Sequence, residues 1–167
     1  LVSTDGSSEG ALGARELIDS LPRSEDIDVA IALSQSGVAD PEPPFVLPWG
    51  TNPESADAEL VQTARQVTSR SFGERDPSPG LWTGLSRLAF PAGLGEAAAL
   101  RGEGVEAIGL SARGERLVPP EDDTTVSSAT MQQAGTAALD LILTIDQAPS
   151  GAPDAGPSDY VRLGGNL

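Results

Sequence analysis

The side chains of this sequence that could do chemistry are carboxylates and serines near predicted helix starts. Asp5 and Glu9 flank the small-residue turn Gly6-Ser7-Ser8, and Glu96 begins another predicted helix. Ligands of α/β sheets bind near the carboxyl ends of strands, and carboxylate oxygens there could hold Ca²⁺ or Mg²⁺. We favour the simpler interpretation for Asp5 and Glu9, in which both accept hydrogen bonds from backbone N–H groups at the helix start.

Two further groups of side chains are weaker candidates. Glu121-Asp122-Asp123 could form a metal cluster, but we favour a solvated acidic loop before a helix. Ser7, Ser8, Ser34 and Ser36 could be nucleophiles, yet the chain has no His or Lys to activate a hydroxyl and no Gly-x-Ser-x-Gly motif. A serine hydrolase is therefore not expected.

The residue types that the sequence lacks exclude several classes of enzyme. The sequence contains no His and no Cys. It therefore lacks the commonest zinc ligands, the commonest general base, and any Ser-His-Asp or Cys-His arrangement. It also lacks a disulfide framework. We expect no cofactor and no resident metal.

The charge balance bears on partners. The 167 residues include 25 acidic and 10 basic side chains, for a net charge of −15. Nucleic acid and anionic lipid headgroups would be repelled by such a chain, so neither is expected as a direct partner. We expect a protein partner. Aromatic residues make up only 4% of the chain, which predicts a core of Ala, Leu, Val and Ile.

Hydrophobic periodicity predicts alternating strands and helices. The predicted strands are residues 1–4, 27–33 and 105–111, with a brief one at 45–47, and the predicted helices are 11–21, 56–72, 96–101 and 127–145. This order is typical of an α/β fold with a mostly parallel sheet and helices on both faces. We expect one domain over residues 1–146 and a Pro/Gly-rich linker or tail over 147–167.

The apolar pattern also predicts which residues are buried. The strand at 27–33 is rich in β-branched residues and is expected to be buried on both faces. The first helix should bury a stripe of leucine and isoleucine side chains, and the last helix should do the same. The expected core positions are Leu12, Leu17, Ile18 and Leu21 in the first helix, and Met131, Ala134, Ala138, Leu141, Ile142 and Ile145 in the last.

Four segments together resemble the second half of the zinc aminopeptidase and glutamate-carboxypeptidase-like family. Gly10-Ala11-Leu12-Gly13-Ala14 resembles the helix start that follows a Glu-Glu pair in that family, which places Ser7 and Ser8 where the glutamates stand. The strand ending at Ser34, followed by Gln35-Ser36-Gly37, resembles a strand that ends in an Asp ligand.

The other two segments lie later in the chain. Gly95-Glu96-Ala97 resembles the family's Ser-Asp-His segment, so that Glu96 matches the acidic residue and Ala97 the His. Residues 118–124 resemble the family's Tyr-His-Thr-Pro-x-Asp-Thr segment, whose His aligns with Val118 or Pro119.

The resemblance implies a degenerate metal site. In the family, the first Glu of the pair is the general base, and the second Glu, the Asp and the His are zinc ligands. Serine supplies neither a carboxylate ligand nor a usable base near neutral pH, and neither Val118 nor Pro119 can bind zinc. The degenerate positions are Ser7, Ser8, Ser34 and Ala97.

The leading hypothesis is therefore a catalytically inactive, peptidase-like scaffold or interaction module, similar to non-catalytic bacterial relatives of the GPI transamidase attachment subunit. An active zinc aminopeptidase completed by upstream residues is the alternative, and an acidic cation-binding module is a third. The segment at 156–165 resembles one that leads into membrane helices in those relatives. It implies a partial domain lying outside the cytoplasm and anchored through segments beyond this chain.

Overall fold

The fold is known from a computed structural model that describes residues 1–4, 11–21, 27–50, 55–74, 76, 95–114 and 125–147. Its elements in chain order are α1 (Leu12–Ser20), β1 (Ala30–Ser34), β2 (Val46–Leu47), α2 (Ala58–Phe72), α3 (Glu96–Gly102), β3 (Ala107–Ser111) and α4 (Ser128–Asp146). All four predicted helices and the strands near 30, 46 and 107 are confirmed. None of the described helices is both long and apolar enough to cross a membrane.

The sheet is mixed, not mostly parallel as predicted, in the part of the chain that the structure describes. β3 lies between the other two strands, parallel to β1 and antiparallel to β2. Residues 35–45 join β1 to β2 without a helix. Because a parallel connection needs a crossover, this short link makes the chain reverse direction.

The side chains of the sheet alternate between two hydrophobic clusters. Ile108 and Leu110 face a cluster built with α2 and α4, whereas Ala107 faces a second cluster built with α1 and α3. In the described part of the chain, α2 and α4 therefore pack on one face of the sheet and α1 and α3 on the other. Small residues dominate the α1–α3 side, where α1 contributes Ala14 and Ile18.

Several predicted core positions are wrong. Leu1 and Val2 are exposed and form no strand, and β1 is half-buried or exposed because it lies at the edge of the described sheet. In α1, Leu12 is exposed and the buried face is formed by Ala11, Ala14 and Ile18. In α4, Met131 and Ile142 are exposed, while Ala134, Ala137, Ala138 and Leu141 are buried.

The two longer helices begin and end within about two residues of their predicted bounds, and local contacts fix their ends. Oδ1 of Asp57 accepts hydrogen bonds from the backbone N–H groups of Glu59 (2.8 Å) and Leu60 (3.1 Å), which caps α2. Gly73 ends α2 in the left-handed conformation, with φ 74°. Ser127 caps α4 by accepting a hydrogen bond from Thr130 N–H at 3.2 Å.

Candidate functional site

The carboxyl ends of β1 and β3 are adjacent, as expected for a site of this fold class. Ser34 and Ser111 are register partners at the ends of these parallel strands. Ser34 is exposed. Ser111 is buried and committed to its own turn, because its Oγ donates to the carbonyl of Gly114 at 2.7 Å and accepts from the N–H of Arg113 at 3.2 Å. Only Ser34 is therefore positioned to face a ligand.

Glu96 lies in the first turn of α3 and is partly buried. Thr4 Oγ1 donates a hydrogen bond to Glu96 Oε1 at 2.5 Å, which ties the opening segment to the start of α3 across 92 positions of sequence. Glu96 is a candidate cation ligand together with Asp5 and Glu9, and this contact brings Glu96 next to Thr4, the residue before Asp5. Asp5, Ser7, Ser8 and Glu9 lie outside the described residues, so their arrangement stays a prediction.

Ala97 is a packing residue. It is 6% exposed and belongs to the cluster between α3 and the sheet. A Cβ added at Gly109 would lie 3.5 Å from Ala97 Cβ, so the helix and β3 are in close contact there. An imidazole at this position would point into the core, and the assignment of Ala97 to a degenerate ligand position stays a prediction.

The described ranges contain no group of three Asp or Glu side chains that could hold a metal ion. The acidic segment Glu121-Asp122-Asp123 and the residues Val118 and Pro119 lie outside those ranges, so the predictions made for them stay predictions. Among the described candidate residues, the carboxyl end of β1 carries the exposed hydroxyl of Ser34 and, two residues later, the half-buried Ser36. The Glu96 carboxylate at the start of α3 is held by Thr4.

An ion pair that sequence reasoning missed lies at the opposite end of β3. Arg101 donates from one terminal nitrogen to Glu106 (2.8 Å) and from the other to the carbonyl of Ser55 (2.7 Å). Glu106 also accepts from the N–H of Asp57 at 2.9 Å. The side chains of Arg101 and Glu106 are only 8% and 23% exposed. These bonds join the end of α3, the start of β3 and the start of α2, which is a structural role.

Asp76 also has a role that the sequence does not predict, because it binds the start of β2. Its two carboxylate oxygens accept hydrogen bonds from the backbone N–H groups of Phe45 (2.6 Å) and Val46 (2.9 Å). Burial raises the pKa of Asp76 above its usual value, although these two hydrogen bonds and the charge of Arg65 act in the opposite direction. Phe45 also stacks on Phe72, with ring centroids 4.3 Å apart.

Comparison with known proteins adds no relative. No protein-family model matches the chain, no curated protein is significantly similar to it, and no solved structure matches its fold at a significant level. The residues that the structure describes form a small mixed sheet with helices on both faces, in a chain of strongly acidic composition.

Proposed function

We propose that this chain is a catalytically inactive metallopeptidase-like domain that acts as a scaffold or interaction module. The observation that carries the proposal is the placement of Ser34. It lies exposed at the carboxyl end of β1 and in register with the end of parallel β3, where an α/β enzyme holds its ligands. A neutral hydroxyl there is a poor replacement for the Asp that is a zinc ligand at this position in the family that the sequence resembles.

The proposal includes a three-layer α/β/α fold of the zinc exopeptidase type. A parallel β1–β3 pair with two helices on each face supports a three-layer arrangement of the zinc exopeptidase type. The resemblance of residues 156–165 to a segment that leads into membrane helices supports a location outside the cytoplasm in a membrane-anchored protein. Fractionation of cells with an antibody against this chain tests that location, and recovery in the soluble cytoplasmic fraction would refute it.

The experiment for the central proposal combines metal analysis with an activity assay. The chain is purified without chelator, its zinc content is measured, and hydrolysis of aminoacyl substrates is followed with added Zn²⁺. We expect substoichiometric zinc and no hydrolysis. Ser34→Asp is the matched variant, because it restores one carboxylate at an exposed position and leaves the core unchanged. Stoichiometric zinc together with hydrolysis in the unmodified chain would overturn the proposal.

The alternative is an active zinc aminopeptidase that upstream residues complete. The observation that favours it is Glu96, a partly buried carboxylate held by Thr4 at the start of α3. This alternative predicts that the full-length natural protein cleaves aminoacyl substrates, and that both a chelator and Glu96→Gln abolish the cleavage. A full-length protein that binds no zinc and has no activity would end it.

A further inference from the structure

The β1 edge of the described sheet is open. Ala30 N–H donates to the carbonyl of Glu106 at 2.8 Å, so the backbone groups of Ala30 point toward β3. Because these groups alternate along a strand, those of Ile31 and Leu33 point away from β3. No other described strand pairs with this side of β1. The β2 edge is different, since that strand has only two residues and Asp76 binds the N–H groups at its start.

The sequence of β1 does not protect this edge. Natural edge strands often carry charged residues, prolines or bulges, which prevent another strand from pairing with them. The strand Ala30-Ile31-Ala32-Leu33-Ser34 contains no charge and no proline, and all five residues pair with β3 in regular register. Leu33 is 38% exposed. The edge is therefore competent to accept another strand.

An apolar stripe on α4 lies beside the same edge. It consists of Met131, Gly135, Leu139 and Ile142, whose three large side chains are 50–55% exposed. These residues follow one another at four- and three-residue steps, so they share one side of the helix. A Cβ added at Gly37, shortly after β1, would lie 3.5 Å from Met131 Cγ, which brings the beginning of the stripe next to the end of β1.

The packing of α4 sets the direction of the whole stripe. α4 contacts β1 and β3, whereas α2 packs beside α4 and contacts β2. Ser127 N–H donates to the carbonyl of Gly37 at 2.8 Å, so α4 begins near the carboxyl end of β1 and runs antiparallel to it. For a right-handed helix in this orientation, the stripe lies on the side away from α2 and beyond the β1 edge.

We propose that a second copy of this chain pairs with the β1 edge across a two-fold axis. The two β1 strands would run antiparallel and continue the sheet from one copy into the other, and the two α4 stripes would meet above them. Neighbouring strands lie about 4.8 Å apart, and α4 covers both β1 and β3, so the α4 axes would be about 10 Å apart. Helices pack at about 8–10 Å. Gly135 has no side chain to obstruct such an approach, and the space beside it is open, since no atom lies within 4 Å of a Cβ added there.

Self-complementarity argues for a second copy over a different protein. A two-fold axis brings the same patch of both chains together, so an uncharged strand meets an uncharged strand and an apolar stripe meets an apolar stripe. The net charge of −15 on each chain opposes the association. Salt should therefore strengthen the dimer, whereas it would weaken the binding of a basic partner.

Sedimentation velocity of the 167-residue chain over a range of concentrations, in low and high salt, tests the proposal. We expect a reversible dimer that tightens as salt is raised. Ile142→Asp, which places a charge on the stripe, should raise the dimer dissociation constant by about tenfold or more. Thr136→Asp is the matched control, because it adds the same charge at an exposed α4 position outside the stripe and should leave the dissociation constant within about twofold.

Leu33→Pro probes the strand edge itself. It removes an N–H group that points away from β3, so it should impair dimerisation while the circular dichroism spectrum shows a retained fold. Two results would overturn the inference: a chain that stays monomeric at every concentration and salt level, or a dimer that Ile142→Asp and Leu33→Pro leave intact. Neither result bears on the zinc and hydrolysis assays, so this inference and the proposed function can fail separately.

Discussion

Arg101 and Glu106 form an ion pair of 2.8 Å that fastens the end of α3 to the start of β3. The Arg101 side chain is 8% exposed, so the pair is largely shielded from solvent. Glu106 holds the N–H of Asp57 and Arg101 holds the carbonyl of Ser55, so the pair also positions the residues that lead into α2. This small group of residues thereby connects α3, on one face of the sheet, with α2 on the other.

The first prediction concerns this ion pair. Arg101→Met should lower the free energy of unfolding by about 3 kcal/mol, because removing one partner leaves the Glu106 carboxylate partly buried and unpaired. The double variant Arg101→Met/Glu106→Gln should recover part of the loss, since it removes the uncompensated charge. Urea unfolding followed by circular dichroism measures both. Equal stability of Arg101→Met and the unmodified chain would contradict the structural role.

The second prediction concerns the pH dependence that Asp76 causes. Burial raises the folded-state pKa of Asp76 above 3.8, its usual value, so the folded protein binds this proton more tightly than the unfolded chain. The resulting stabilisation is complete below pH 3.8 and is lost as the pH rises through the folded-state pKa. Asp76→Asn cannot titrate, so the stability of the unmodified chain relative to this variant should fall across that interval.

NMR titration of the Asp76 side chain provides an independent readout for the same group, and its midpoint should lie above 3.8. Asp76→Asn should also lose stability, because an amide has one acceptor oxygen for the two N–H groups of Phe45 and Val46. A midpoint below 3.8 would show that the hydrogen bonds and the charge of Arg65 outweigh burial.

The third prediction concerns the close contact between α3 and β3. Ala97→His should destabilise the fold by about 2 kcal/mol or more and should create no zinc site, because the imidazole would enter the core above Gly109. Gly109→Val should behave similarly, since even a Cβ there would lie 3.1 Å from Leu47 Cβ. Thermal unfolding with and without Zn²⁺ measures both effects. A zinc-dependent rise in the melting temperature of Ala97→His would instead mark a ligand position.

The fourth prediction concerns the start of α2. Asp57→Ala should lower the free energy of unfolding by about 1 kcal/mol, because two backbone N–H groups lose their acceptor. Asp57→Asn is the conservative control and should cost less, as its side-chain oxygen can still accept. Urea unfolding distinguishes the two variants, and a smaller loss for Ala than for Asn would argue against a capping role.

Much of the fold follows from local sequence signals. Asp57 and Gly73 bracket α2 where the periodic apolar positions begin and end, and the apolar run into Ser111 forms β3 as predicted. These elements are predictable because their stabilising contacts lie within a few residues or along one face of a helix.

The remaining features depend on contacts that are distant in sequence. The apolar run at 27–33 predicts a strand but not its position at the sheet edge, which leaves β1 half-buried. The three- and four-residue spacing of apolar residues in α4 predicts Met131 and Ile142 as core residues. The buried face of α4 instead consists mainly of alanines, which give a weaker hydrophobic signal than Met or Ile. Asp76 binds the start of β2 from 30 positions away, and no local sequence pattern predicts such a contact.

The central position of β3 has a consequence for how the chain acquires its structure during synthesis. Both hydrophobic clusters include residues of this strand, and both of its partners, at 30–34 and 46–47, precede it by at least 60 residues. A growing chain therefore exposes the apolar face of α1 at least until residue 111 has left the ribosome, and that of α2 until the buried residues of α4 have followed. Neither half of the interior can close earlier, so the fold forms late and through contacts of high contact order.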